Sequence, residues 1–579
     1  MATNQYVPVF DLSDLESEGP AVVSENGHAI ALFYHRENVY AVDNRCPHMG
    51  FPLSRGTVED GVLTCHWHHA RFELQEGDTF DPWADDVQTF PVDVRDGTIY
   101  IDPDPEPTVP PATRWRNRLA DGLQEDISLV MAKAVIGLDE EGDGFETPLK
   151  AAVDFGTNYH ASGWRRGLTT MSYMADLYPD LGDRDRRRAI FVGVDEVADN
   201  CAGEAPRFQQ HAFENRSVPK ARLKSWFREN CAVRDEDGAE RTLLTAIECL
   251  PPNDVVDILV TAATDHLYLN GSHTLDFINS AISTVEHLGW EEYAAPVLAS
   301  TVPLLTDAVR AEEQSAWRTP IDVAALCFDA HDRLSDLIEA GRNRRWSEPD
   351  GFVETLLSDD PEAIVEALCA AIAEGATRSE LTDAVARAAT RRVAYFATNN
   401  EFSDWNTVHH SLAYANAAHE LAARTDAIEL YRACFDGAIA IYLDRFLNSP
   451  RAPIPDPDDS DREPETIREE LLSALDTQGE INRAGRLVSE HFDAGGDPDA
   501  LKRVLGRGLL REDAGFHTLQ NVGIAFRRFD ALAEDDERRL ALIAGARYLA
   551  AHTPTRRSRE QTFSIATRLH RGDRLHEVS

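Results

Sequence analysis

The feature that most restricts this chain is a pair of short boxes, Cys46-x-His48 and Cys65-x-x-His68. Sixteen residues separate them within CPHMGFPLSRGTVEDGVLTCHWHHARF. Two ligand pairs on separate loops pinch a metal centre between two loop tips, so the surrounding fold must bring two turns face to face. One Cys and one His from each loop leave two chemistries open: tetrahedral zinc, or a two-iron cluster with mixed ligation. Zinc modules of this ligand set pair Cys with Cys and carry the two His on a helix, yet neither box here runs into helix-forming sequence. The flanks are short apolar or alternating runs (AIALFY, NVYAV, GVLTC, VQTFPVDV, TIYID) broken by ENG, DG and GD, the pattern of strands and turns.

The two boxes, the Gly-rich spacer between them and the later WADDVQTFPV segment resemble the Rieske family of [2Fe–2S] proteins, over about residues 5–104. The resemblance implies an all-β iron–sulfur domain at residues 1–104 with one [2Fe–2S] cluster per chain. Cys46 and Cys65 would hold one iron, His48 and His68 the other. Neutral imidazoles in place of two thiolates leave such a cluster less negative and raise its reduction potential. The C-x-x-H spacing selects His68 over His66 and His69, which are expected on the loop surface. Respiratory Rieske proteins add a second Cys to each box. Here residues such as Met49, Gly50 and His66 stand in those places, which points to the ferredoxin and oxygenase type.

Charge narrows the partners. The chain carries 100 acidic against 57 basic residues, net −43, and its lysines number five: Lys133, Lys150, Lys220, Lys224 and Lys502. Such a surface repels nucleic-acid backbones and anionic membranes, so neither is an expected partner. It suits a protein kept soluble in concentrated salt, where screening removes self-repulsion, and it has the look of a halophilic archaeal protein. No run of eighteen apolar residues and no signal-like N-terminus is present, so the expected location is the cytoplasm. Cys201, Cys231, Cys249, Cys327, Cys369 and Cys434 are scattered and read as small buried hydrophobes.

After Ile101, the Pro/Asp-rich stretch DPDPEPTVPPATR marks a linker at 105–113. Residues 114–579 change to helical periodicity and read as a large all-α domain, interrupted by a Pro/Asp-rich loop at 448–466. The expected architecture is therefore multidomain, an all-β iron–sulfur domain followed by an all-α one. A β-rich oxygenase catalytic domain is not expected, because no Asp-x-x-His-x3–4-His box is present; Asp265, His266 and His273 are wrongly spaced.

Four segments in the helical part read as helices opening on a histidine: His160, His273, the pair His409-His410, and His517. Helices around one axis could bring these imidazoles to one end, where they would hold a second metal or a haem. Asp276, Glu420 or Glu512 could complete the site. The plainer reading makes them separate buried histidines that cap helix ends. WNTVHHSLAYANAAHEL and GSHTLDFINSAISTVEHLG are faintly similar to questin-oxidase-like helical proteins, which would imply an oxidative site over about residues 150–560.

The sequence thus reads as a Rieske oxidoreductase whose cluster delivers single electrons to a second centre or partner. His160, His273, His410 and His517 are the catalytic candidates, acting on an unidentified small molecule. No nucleotide-binding fingerprint appears, so an external reductase or ferredoxin would supply the electrons. The alternatives are a non-enzymatic carrier or redox sensor whose helical part is a docking scaffold, and a partner-binding solenoid regulated by the cluster.

Overall fold

The structure, a computed structural model, describes residues 6–214, 216–454 and 462–575. Contacts gather them into two compact units: the described residues through Ala151 together with those from Arg559, and Ala152–Ser558. This grouping cuts across the change expected at residues 105–113. The early helices and the C-terminal residues belong with the strands, and the middle of the chain forms the second unit.

The first unit holds strands β1 (Val7–Asp11), β2 (Ala21–Glu25), β3 (His28–His35), β4 (Asn38–Asp43), β5 (Thr57–Glu59), β6 (Val62–Thr64), β7 (Arg71–Glu73), β8 (Val92–Arg95) and β9 (Thr98–Ile101). They make three antiparallel sheets, β1-β9-β8, β2-β3-β4 and β5-β6-β7. Three hairpins turn on Asn26-Gly27, Asp60-Gly61 and Asp96-Gly97, with φ of 45° and 84°, 51° and 83°, and 49° and 81°. Positive φ at both turn residues matches the strand twist and selects Asn/Asp followed by Gly. The run VQTFPVDV yields only β8. Pro91 has no N–H to give a ladder, and before it Thr89 makes an isolated bridge to Val42.

Strand β3 is buried on both faces. Ala31 and Phe33 join Leu63, Phe72, Cys46 and Cys65 in one core, while Ile30 and Leu32 join Ile99, Ile101 and Phe90 in another. After the strands, a helix begins at Pro111 (Pro111–Glu125), a few residues before the expected onset, because proline at the first helical position already has helical φ. A second follows at Ser128–Glu140.

In the second unit, four helices close a ring: Arg166–Leu177, His273–Leu288, Phe402–Ala422 and Phe516–Ala531, each packed against the next and the last against the first. Small buried residues such as Ala413, Ala417, Ala418 and Ala281 let their backbones approach. Within the expected loop at 448–466, residues 455–461 lie outside the described residues, and a helix resumes at Pro464. Among the described residues no helix is long and apolar enough to cross a membrane.

Candidate functional site

The two boxes form equivalent turns, one between β4 and β5, the other between β6 and β7. In the first, the Cys46 N–H donates to the Phe51 carbonyl (2.9 Å) and the Gly50 N–H to the Cys46 carbonyl (2.7 Å). In the second, the Cys65 N–H donates to Ala70 (2.8 Å) and the His69 N–H to Cys65 (3.0 Å). Gly50 and His69 thus occupy matching places, and both take left-handed φ, 83° and 65°. A Cβ on Gly50 would stand 3.1 Å from the Arg574 Cα, a tight approach that adds to the left-handed φ in favouring glycine there.

Both thiols are buried, at 2% and 1% exposure. The Cys46 thiol hydrogen-bonds the Cys65 sulfur, and that bond, with the Trp67 and His68 amides, holds Cys65 down at about 6. The same bond and burial push Cys46 up, although the His48 and Met49 amides donate to its sulfur. Burial, reinforced by His68 and Lys133, lowers His48 to about 4; burial, then His69, lowers His68. Both imidazoles are therefore neutral near pH 7, as metal ligation demands.

The rings of His48 and His68 face each other at 4.8 Å, nearly perpendicular. The His48 Nδ1 is buried without a hydrogen-bond partner. His66 turns instead to the Thr57 hydroxyl (3.3 Å), and His69 is exposed. Two convergent sulfurs, two neutral imidazoles and an orphaned ring nitrogen fit a mixed-ligand [2Fe–2S] cluster.

A third segment braces the first turn. Trp83 stands edge-on to His48 at 4.7 Å. Buried Asp85 pairs with Arg118 Nε (3.0 Å) and Lys133 Nζ (2.8 Å), and Lys133 also donates to the Pro47 carbonyl at 2.6 Å. Arg118 donates further to the carbonyls of Pro82 (2.7 Å) and Ala84 (3.0 Å). Burial pushes Asp85 up, but the two cations override it and hold the carboxyl below its usual range. Lys133 escaped the sequence reading, although a lone lysine within the apolar run SLVMAKAVIGL was a signal of a buried pair.

In the helical unit, His273, His410 and His517 come together, with ligand atoms all within 4.8 Å of one another. His160 does not join them. The first ring helix begins at Arg166, leaving His160 in the preceding turn, with Nε2 3.4 Å from the Asn200 amide. His409 and His410 do not open a helix either, since theirs starts at Phe402. Of the three carboxylates, Asp276 alone approaches this cluster, 3.8 Å from His273 Nδ1. Glu420 is held by Arg527 (2.9 Å) and Asn279 (2.6 Å), and Glu512 by Thr555 (2.7 Å) and Arg557 (2.7 Å).

The family match falls within the first unit. The family described as Rieske [2Fe-2S] domain matches residues 5–91. The ferredoxin component of the alkene monooxygenase system of Xanthobacter autotrophicus is 33% identical over 104 residues, covering 18% of this chain and 85% of that protein. A 3-phenylpropionate/cinnamic acid dioxygenase ferredoxin subunit of Photorhabdus laumondii is 42% identical over 74 residues, 12% of this chain and 70% of the relative. Among solved structures, the ferredoxin of carbazole 1,9a-dioxygenase from Nocardioides aromaticivorans aligns at 24% identity and TM-score 0.17, over 17% of this chain and 99% of its own.

Proposed function

The chain belongs to the Rieske [2Fe-2S] family through residues 5–91, and from that premise we propose that Cys46, His48, Cys65 and His68 hold its cluster in an oxidoreductase. When bound there, the group supplies one-electron transfer between an external reductase or ferredoxin and an oxidative reaction in the helical unit. The observation that carries this reading is the pair of matched turns, each presenting one buried sulfur and one neutral imidazole.

The chain's own residues do the tuning. Amides of His48, Met49, Trp67 and His68 donate to the two sulfurs and spread negative charge away from them. Lys133 fixes the first turn through Pro47 and adds a buried positive charge beside it. Trp67, 38% exposed and 4.4 Å from the His68 ring, gives the site a surface contact for a redox partner. The large acidic excess fits work in a salt-rich cell interior.

One observation favours a second reading, a carrier without chemistry of its own. The two curated relatives are named as ferredoxin components, and this chain spans most of their length. Optical and EPR spectra of the purified full chain, with an iron count, test the proposal. Two irons and a one-electron-reducible cluster are expected, lost together in Cys65→Ser. A single zinc, or iron-free protein after anaerobic reconstitution, would overturn it. A substrate-free carrier would show the same cluster but no oxygen consumption by the helical unit under any reductant.

A further inference from the structure

We propose that His273, His410 and His517 form a binding site for one divalent first-row transition ion, held wholly by the helical unit and distinct in its ligands from the iron–sulfur site.

Three helices far apart in sequence deliver these imidazoles. His273 is the first residue of its helix, His517 the second of its own, and His410 sits two turns inside the 402–422 helix. Ring centroids lie 4.8 Å apart for His273–His410, 4.8 Å for His410–His517 and 5.5 Å for His273–His517. The Nε2 atoms of His410 and His517 are 3.0 Å apart. Two nitrogens about 2.1 Å from a shared ion and about 90° apart would be separated by about 3.0 Å. His273 stands somewhat farther back, with its ligand atom still within 4.8 Å of the other two. A separation this short leaves no room for a porphyrin between the two rings, so this pair suits a bare ion and not a haem with both imidazoles as axial ligands.

The protonation states agree. Burial, then the neighbouring imidazoles, keeps His410 well below its usual range, and burial followed by His273 and His552 lowers His517 to about 4. Neutral imidazole is the ligand form, favoured by zinc, iron, copper and nickel alike. Three nitrogen donors leave coordination positions open, as in catalytic rather than structural sites. His273 keeps 24% exposure, which gives an ion a way in.

What surrounds the three rings also positions them. Buried Asp276 lies 3.8 Å from the His273 Nδ1, which is itself buried and without a hydrogen bond. Gln520 Nε2 donates to Asp276 Oδ2 (2.6 Å), His409 Nε2 donates to Gln520 Oε1 (2.7 Å), and Asn521 Nδ2 donates to His409 Nδ1 (3.1 Å). His409 is thus fully engaged as a positioning residue, and the chain ties all three ligand-bearing helices. A carboxylate behind a metal-bound imidazole is the usual outer partner. Just before His273, Tyr268, Asn270 and Ser272 all hold positive φ (42°, 52° and 100°), and Ser272 is fully buried. Such strained backbone is costly to hold and gathers at functional sites.

The test is Co(II) titration of the full chain carrying its cluster, read by visible d–d absorption and by metal count after dialysis. One Co(II) per chain is expected beyond the two cluster irons. His410→Ala and His517→Ala should each weaken it more than about 100-fold, beyond the 10–100-fold typical of outer-shell changes, with Asp276→Asn inside that range. His160→Ala should bind as the parent does. Far-UV circular dichroism and the cluster EPR signal report folding of each variant. Co(II)-induced stabilisation of the unsubstituted protein reads binding without any variant. No Co(II) bound by the parent at millimolar concentration, or equal binding by His517→Ala, would overturn the proposal. Its use as an electron acceptor rests on the function proposed above, but cluster spectrum and Co(II) stoichiometry are separate readouts, so either reading can fail alone.

Discussion

Replacing Lys133 by Met tests the bracing of the first cluster turn. Methionine matches the length of the lysine stem, so no large cavity opens, but two buried contacts vanish: the 2.8 Å pair with Asp85 and the 2.6 Å bond to the Pro47 carbonyl. Hydrogen bonds involving a charged group contribute about 1.5–3 kcal/mol each. Breaking one side of a buried pair costs about 3–5 kcal/mol because the other charge stays behind. Asp85 keeps Arg118 at 3.0 Å, which places the loss near the lower bound, about 3 kcal/mol. For a unit of this size, that lowers the melting midpoint by roughly 10 °C. Visible circular dichroism of the cluster during heating is the assay, since the Pro47 bond lies between Cys46 and His48. Asp85→Asn with Lys133→Met should not recover the loss, because Arg118, 7% exposed, then gives up its 3.0 Å carboxylate partner. Removing the positive charge should also lower the cluster's midpoint potential. A cluster melt unmoved in Lys133→Met, or a double variant more stable than the single, would refute the reasoning.

The remaining predictions are shorter. His68→Ala should abolish the native cluster spectrum while His69→Ala retains it, because His68 faces His48 and His69 faces solvent; spectra of the two purified variants decide it. Raising salt from about 0.1 M to about 1 M shortens the screening length from about 10 Å to about 3 Å, so with net charge −43 the melting midpoint should climb. The metal-free helical unit should lose stability as pH falls from 6.5 towards 4. Burial depresses His409, His410, His517 and His552 in the fold, so the unfolded chain takes up more protons across that window. Asp444, pushed up to about 7 by burial, and His287, raised by its bond to Asp176, oppose this, but the four imidazoles outnumber them; urea melts at several pH values give the slope. Gln520→Met should strand the His409 N–H and leave Asp276 with only the Tyr173 hydroxyl at 3.5 Å, costing about 2–5 kcal/mol, measurable in the same melts.

Local chemistry made much of the first unit legible. Asn-Gly and Asp-Gly turns fix three hairpins, and the box spacing singles out the residues the fold brings together. Position along a helix was harder to read. His160 looked like a helix start, yet Gly163 takes φ 71° and the Trp164 N–H bonds to the Ser300 carbonyl (2.7 Å), so the backbone cannot turn helical until Arg166. The pair His409-His410 looked like another start, but Glu401 and Asp404 form a reciprocal cap that begins the helix at Phe402. A box built from two carboxylates lacks the usual Ser/Thr signature. The role of Lys133 depends on Asp85, 48 residues away, and no periodicity along the chain reports such a pairing. The five lysines share this feature: each sits in an ion pair, with Asp85, Glu146, Asp254, Asp257 and Asp530 among the partners.

The interior of the four-helix ring is unusually polar. Asp276, Asn279, Ser280, Asn416, Gln520 and Asn521 are all at most 1% exposed. A bundle selected for stability alone gains little from such groups, because a buried hydrogen bond contributes a small net amount while an unmet one costs more. These side chains instead link up along the ring. Asp276, Gln520 and His409 join its helices at the imidazole end. Farther along, Arg527 bridges Asp176 (2.7 Å) and Glu420 (2.9 Å), and Asn279 and Asn416 bond to the same glutamate. Each link fixes the rotation and register of one helix against the next, which leucine packing permits to slide. Ligands held on rigid elements need positions good to about 0.5 Å. A polar interior that sets register is what three imidazoles from three helices require, so the same network that weakens the apolar pattern is what makes their convergence reproducible.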